Sequence, residues 1–296
     1  MTFEIPDEDT LIRRFDELHE AGTLLYDDSA RPLTHVYSPY LVVFMITSAF
    51  TKKPDYGGAI STNHPSRLRP GSDIDTTGFE IAALGSTHVL SFNKFAVFRP
   101  HLLMVTADGF RRQTSNLDLD DLRASWAVLR QLPTKSRWAA IYNCSVDGGC
   151  SRLHKHMQFF PLASLAGTPG VAPFLNESFE AAQLPFVVLR SKIAPDATAD
   201  DVFAVYEKFI DAARRRLGQH QQQHGGGGEE AVTCPHNVVL TRDYLVVIPR
   251  RVGYLDGLGA NAMGMMGLFP VSSQDLYQRW LAAGPIDVLS LMGVAK

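Results

Sequence analysis

The segment "CSRLHKHMQFFPL", residues 150–162, sets His154, His156 and Gln158 on alternate positions directly after the small-residue run "DGGC". In an extended strand successive side chains point to opposite faces. These three therefore share one face, and Lys155, Met157 and Phe159 share the other. A neutral imidazole is a nucleophile near neutral pH when one ring nitrogen donates to a fixed acceptor and the other keeps its lone pair. Gly148 and Gly149, in the preceding connection, allow backbone N–H groups to approach an anion closely. Upstream, "AAIYNCS" is a second apolar strand carrying Asn143 near its end. The pattern suggests a phosphate held at the loop and an imidazole aimed at its phosphorus. On spacing alone, a structural histidine or a metal-binding H-x-H pair stays open. Zinc is disfavoured because no CxxC pair accompanies the histidines, and Cys144 and Cys150 read as small buried apolar residues rather than nucleophiles.

Elements able to position these groups follow from periodicity. Leu11, Phe15 and Leu18 recur at helical spacing behind Asp9 and Thr10, either of which could cap a helix over 9–21. "LDLDDLRASWAVLRQL" places Leu119, Leu122, Trp126 and Leu129 on one stripe with aspartates in the first turn, and a longer helix is predicted over 199–217 with Gly218 as its stop. Short runs rich in β-branched and aromatic residues predict strands at 40–47, 87–98, 102–106, 139–145 and 186–189. "HNVVLTRDYLVVIPR" reads as two strands turning at Thr241–Asp243, and 272–294 as two helices broken near Gly284 and Pro285. The run "QHQQQHGGGGEE", 219–230, offers no apolar side chain to bury and is expected to be a flexible loop; its His220 and His224 lack further ligands at metal spacing. Strands and helices do not alternate regularly, which favours an α+β fold with antiparallel sheet.

Composition bounds the function classes. With 296 residues, 45% hydrophobic and 20% charged, the chain can bury a substantial core. A formal charge of -3 gives no general attraction to nucleic acid or an anionic membrane, and the basic residues Lys52, Lys53, Lys94, Arg152 and Lys155 are too dispersed for a nucleic-acid stripe. Any anion must be held locally. Three cysteines without a CxxC pair and an acidic N-terminus point to a reducing, cytoplasmic or nuclear location. No apolar run approaches the roughly 20 residues of a membrane span, and no P-loop motif is present.

The stretch "YNCSVDGGCSRLHKHMQFFPL", 142–162, resembles the active-site segment of the fungal diadenosine tetraphosphate phosphorylases, or ATP adenylyltransferases. These form a branch of the histidine triad superfamily related to galactose-1-phosphate uridylyltransferases, in which glutamine replaces the third histidine. "SFNKFAVFRPHLLMVT" at 91–106 is similar to the family's N-K-F-P-V segment, and "HNVVLTRDYLVVIPR" at 236–250 to its N-x-x-L-T-x-x-W-x-x-x-x-P-R segment. "FTKKP" at 50–54 and "GANAMGMMGLF" at 259–269 are similar to its N-terminal lysine and late N-S-x-G loop. The chain departs from the pattern at Ala96, Tyr244, Ala262 and Ser272, the last standing nearest to a lysine of the relatives.

The resemblance implies a histidine-triad-like α+β fold, mainly antiparallel sheet flanked by helices. It divides the chain into an N-terminal catalytic region, 1–190, and a C-terminal ATP-adenylyltransferase region, 191–296, forming one compact unit. It implies double displacement: His156 attacks the α-phosphorus of a dinucleoside polyphosphate, ATP leaves, and inorganic phosphate collects the adenylyl group as ADP. His154 would donate to the phosphate or leaving group. Asn143, Gln158 and the residues Gly149, Cys150, Ser151 and Arg152, by backbone and side chain, would hold the reacting phosphate. Lys53 would bind the polyphosphate, Phe92 and Asn93 the nucleoside, and Asn261, Ala262 and Met263 the nucleotide from the late loop. Magnesium or manganese would be carried on substrate oxygens, with no organic cofactor. The expected partners are dinucleoside polyphosphates, ATP, ADP and phosphate, without nucleic acid or membrane, and the chain is expected to be a monomer. A hydrolase, a nucleotidyltransferase with another acceptor and a non-catalytic nucleotide sensor remain as alternatives.

Overall fold

A computed structural model describes residues 3–37, 40–50, 68–133, 136–162, 184–223 and 234–296. Lys53 lies outside these residues, as do most of the glycine-rich run and residues 163–183.

An eight-stranded sheet carries the architecture, in the order β3 (Glu80–Leu84), β4 (His88–Phe92), β5 (Leu102–Thr106), β7 (His156–Pro161), β6 (Trp138–Cys144), β9 (His236–Leu240), β10 (Tyr244–Pro249), β8 (Leu189–Lys192). Every neighbouring pair is antiparallel. The pairing of β6 with β9 sets Asn143 opposite Asn237, so one sheet runs through both the N-terminal and the C-terminal region. A second sheet is formed by β1 (Pro32–Tyr37), β2 (Tyr40–Ile46) and β13 (Leu268–Val271), with β13 parallel to β2, and the short strands β11 (Tyr254–Leu255) and β12 (Leu258–Gly259) pair with each other.

Alternation along the central strands builds two cores. Ala140, Tyr142, Met157, Phe159, Val238 and Leu245 point into one, beneath the helices α1 (Glu8–Glu20), α2 (Leu119–Gln131) and α3 (Ala199–Gln223). Ile141, Phe160, Val239 and Ile248 point into the other, beneath β2, β13 and the helices α4 (Ala262–Met265), α5 (Gln274–Ala283) and α6 (Pro285–Met292). Such strands, buried on both faces, read as continuous apolar runs. Among the described residues no helix is long and apolar enough to cross a membrane.

Several boundaries differ from expectation for identifiable reasons. α1 is capped by Asp7, whose carboxylate accepts from the Thr10 N–H at 2.8 Å, so the helix begins before Asp9. α3 runs through Gly218 to Gln223, so residues 219–223 are helix rather than loop: glutamine is a good helix former, and adding a turn to an existing helix needs no new nucleus. The predicted strand over 87–98 stops at Phe92, because Asn93 Oδ1 accepts from Phe95 N–H and His101 Nδ1 from Val97 N–H, replacing ladder bonds. Instead of a strand at 186–189, Phe186 bridges Ala295 and pairing with β10 begins at Leu189.

His236, at the start of β9, is fully buried. Its Nδ1 donates to Cys234 O at 2.6 Å, and Tyr206 Oη, itself accepting from Leu117 N–H, donates to its Nε2 at 3.0 Å. Burial pushes its pKa down from 6.5 to about 4. The unfolded chain therefore binds a proton in the window between these values that the folded chain refuses. Stability present above pH 6.5 is lost as pH falls toward 4, by up to roughly 3 kcal/mol. Denaturant unfolding at pH 7.5 and 4.5 checks this: His236→Gln, which cannot titrate, narrows the difference between the two curves.

Candidate active site

β7 opens at His156, which is buried but borders a small cleft that opens to solvent. The backbone here is tied down by Gln113, a residue that no motif in the sequence marks. Its Oε1 accepts from His156 N–H at 2.7 Å, and its Nε2 donates to the carbonyls of Asn143 and His156, each at 3.0 Å. The His156 Nδ1 lies 2.8 Å from His154 O. A carbonyl only accepts, so Nδ1 carries the proton and Nε2 of the neutral ring carries the lone pair.

His154 is committed elsewhere. Its Nε2 donates to Thr106 O at 3.0 Å with Thr106 Oγ1 beside it, its Nδ1 lies 2.8 Å from Ser72 Oγ, and Asp73 accepts from its backbone N–H. Burial lowers its pKa, which favours the neutral ring. This corrects the expected donation to the phosphate: both ring nitrogens are spent inside the protein, and His154 serves the site by its carbonyl, which sets the His156 tautomer. Regular strand pairing begins only at His156, with His154 in an isolated bridge to Arg112.

Four carboxamides line the cleft, and each has its oxygen engaged by the protein. Asn93 Oδ1 accepts from Phe95 N–H at 3.1 Å. Asn143 Oδ1 accepts from Asn237 Nδ2 at 2.9 Å and Ala262 N–H at 2.8 Å. Asn261 Oδ1 caps α4, accepting from Met263 and Gly264 N–H. Gln158 Oε1 lies 3.1 Å from His101 Nε2, and because His101 Nδ1 accepts from Val97 N–H, it is Nε2 that donates. With the oxygens taken, the NH2 groups are what these residues can offer a ligand, and no carboxylate among the described residues lines the cleft. That is a surface for an anion's oxygens.

The loop between β6 and β7 contributes shape more than donors. The N–H groups of Gly148 and Cys150 donate to Ser145 O and that of Gly149 to Val146 O, so the expected backbone donation at Gly149 and Cys150 is already used within the turn. Gly149 has φ +80°, and a Cβ on it would sit 2.4 Å from Ala260 O; one on Gly253 would sit 2.0 Å from Val146 O. Only glycine lets the loop seat against Ala260 and Asn261. Gly149 and Ser151 reach the cleft; Cys150 and Arg152 do not line it. Burial pushes the Cys144 thiol up to about 12 and those of Cys150 and Cys234 to about 11, which keeps all three protonated at neutral pH.

Residues 67–175 match the Ap4A phosphorylase N-terminal domain and residues 182–295 the ATP adenylyltransferase C-terminal domain. The chain belongs to the Ap4A phosphorylase, or ATP adenylyltransferase, family. It is accordingly a nucleotidyltransferase. Its fold is similar to that of the crystal structure of yeast Ap4A phosphorylase Apa2, with TM-score 0.72 at 17% identity, covering 98% of this chain and 99% of that one. Crystal structures of the yeast protein with Ap4A (TM-score 0.69, 18% identity, 98% and 99% covered) and with AMP (TM-score 0.69, 20% identity, 98% of each chain covered) agree. No curated protein matches the sequence.

Of the residues expected from the family resemblance, the cleft gathers Asn93, Asn143, Gly149, Ser151, His156, Gln158, Asn261 and Met263. Phe92 is a correction: it ends β4 facing the helical core, its ring 6.1 Å from that of Phe15, while Phe50 and Phe95 are the aromatic residues at the cleft. Ala262 takes part through its backbone N–H. His101 escapes sequence reasoning because a lone histidine in a Phe-rich run carries no pattern. His101→Phe, which removes the donor that orients Gln158, lowers kcat on the order of 10- to 100-fold and, because Val97 N–H loses its acceptor, lowers the thermal midpoint by a few degrees, as steady-state kinetics and a melting curve would show.

Proposed function

We propose that the protein transfers the adenylyl group of diadenosine tetraphosphate to inorganic phosphate, giving ADP and ATP, through a covalent adenylyl-His156. The observation carrying this is the donor-only amide set of Asn93, Asn143, Gln158 and Asn261 around an imidazole whose Nδ1 is pinned to a carbonyl. His156 Nε2 attacks the α-phosphorus; the bond from that phosphorus to the bridging oxygen breaks, and its electrons leave with ATP. A phosphate oxygen then attacks the same phosphorus, and the P–N bond breaks to return the imidazole. Charge on the nonbridging oxygens rises in both steps, and donors preset for them contribute most of the acceleration. The crystal structures of the yeast relative with Ap4A and AMP support nucleotide substrates.

Described side chains at the cleft provide no carboxylate for a metal. On this reading a divalent cation is bound through the polyphosphate and screens its charge. Purified protein incubated with diadenosine tetraphosphate, with and without inorganic phosphate, tests the reaction. Equal ADP and ATP appearing only with phosphate supports it. AMP and ATP in phosphate-free buffer assigns the chain to the hydrolases, and binding without turnover makes it a sensor.

A further inference from the structure

The hairpin of β9 and β10 brings two polar residues, Asn237 and Arg250, into the core behind the cleft, both fully buried. Neither lines the cleft. The Arg250 guanidinium donates to Asn237 Oδ1 at 2.6 Å, to Val252 O at 2.8 Å and, through Nε, to Met292 O at 3.4 Å. All three partners are neutral, and no described carboxylate forms an ion pair with it. Burial draws its pKa down to about 9 against the charge of Asp147, which acts to raise it, and this still leaves the guanidinium charged at neutral pH. A desolvated cation whose hydrogen bonds all go to neutral acceptors is expensive to keep in a core.

Hydrogen bonds run outward from this cation in one direction. Asn237, its oxygen held by Arg250, donates from Nδ2 to Asn143 Oδ1 at 2.9 Å and to Gly148 O at 2.6 Å. Asn143 Oδ1 thus accepts from Asn237 and from Ala262 N–H, the first residue of α4. Both acceptances fix the carboxamide with its NH2 toward the cleft. A chain of donors that begins at a cation polarises each successive amide and strengthens the last N–H as a donor. Asn237 and Asn143 between them join the three parts of the site: the end of β6, the Gly148 turn and the α4 terminus.

We propose that Arg250 and Asn237 are positioning residues for adenylyl transfer, acting through Asn143 to present a polarised amide N–H to the phosphate oxygens as negative charge builds on them. This rests on the adenylyl-transfer reading of the cleft and assigns a part to two residues that touch no substrate. Asn237→Asp is the informative change. It keeps a partner for Arg250 but removes the Nδ2 donors, so Asn143 turns its NH2 inward and offers an oxygen to the phosphate.

The experiment is a double-mutant cycle of Asn237→Asp and Asn143→Ala, read in AMP affinity by calorimetry and in kcat, with thermal midpoints recorded. Each single change is expected to lower kcat about 100-fold and AMP affinity about 10-fold, with KM moving less than kcat, and the double variant to fall no more than about threefold below the worse single. Multiplying losses in both readouts would overturn the proposal, because Asn237 would then act independently of Asn143. Should Asn237→Asp not fold, Arg250→Lys, which keeps the cation and loses the fork, replaces it in the cycle. Wild-type protein that binds AMP without turnover would defeat the adenylyl-transfer reading and leave the AMP cycle to decide the relay. Failure to bind AMP would defeat both.

Discussion

Replacing His156 with alanine removes adenylyl transfer, lowering kcat by at least about 10⁴-fold while the thermal midpoint moves only a few degrees. The asymmetry follows from what the ring touches. Its Nδ1 bond to His154 O is local, spanning two residues, whereas its Nε2 carries the ring's lone pair at the cleft, the nearby cysteines being held as thiols. Alanine at His154 acts differently. It strands Ser72 and Thr106 and loosens the carbonyl that sets the His156 tautomer, which costs stability and at most about 100-fold in kcat. Mass spectrometry of enzyme mixed with diadenosine tetraphosphate in phosphate-free buffer completes the test: one adenylyl group is added to the wild type and none to His156→Ala. An adduct on the alanine variant would remove His156 from the mechanism.

Lys155→Met has the largest expected effect on folding. Lys155 projects from the same segment to the opposite face, where its fully buried ammonium meets the Asp121 carboxylate and donates to Asn116 O at 2.7 Å. Asp121 also accepts from the buried His88 and completes the capping box of α2 with Asp118. Burial works to raise the Asp121 pKa, but His88, Lys155 and the Asp118 backbone outweigh it and hold the carboxyl at about 2. Removing the ammonium leaves a buried carboxylate short of its cation, which costs about 3–5 kcal/mol and lowers the midpoint by on the order of 10 °C. The pair's contribution has a defined sign with pH. It is fully present above the unfolded carboxyl value near 3.8 and is lost as pH falls toward 2. Chemical denaturation of wild type and variant at pH 7 and pH 3 reads both effects: the gap between them narrows at the lower pH. An unchanged midpoint for Lys155→Met at pH 7 would show that the ion pair contributes no net stability.

Much of this molecule is legible in its amino-acid order. The apolar stripes of α1 and α2, the hairpin of β9 and β10 and the break between α5 and α6 all follow from local periodicity and turn chemistry, and local rules are written in consecutive residues. Alternation in a strand likewise predicts that His156 and Gln158 share a face and that Lys155 opposes them, and the two cores bear this out for the neighbouring residues. Local rules fail where a side chain takes over the hydrogen bonds of the ladder or where an element distant in sequence covers one face of a strand. The run at 93–98 leaves the strand because Asn93 and His101 supply its hydrogen bonds, and Phe92 goes into the core because α1 covers that side of β4.

The chemistry on offer is a property of the sequence: an imidazole and a carboxamide on one strand face, glycines in the turn before them, and a family resemblance that named the substrate class. Which way each group points is a property of the folded chain. No spacing rule shows that Thr106 and Ser72 occupy both nitrogens of His154, that His101 and Asn237 consume the oxygens of Gln158 and Asn143, or that a cation stands behind them in Arg250. Asn237 alone joins partners 13 and 94 residues away along the chain, and a hydrogen bond depends on distance and angle in space, which only the closed sheet supplies.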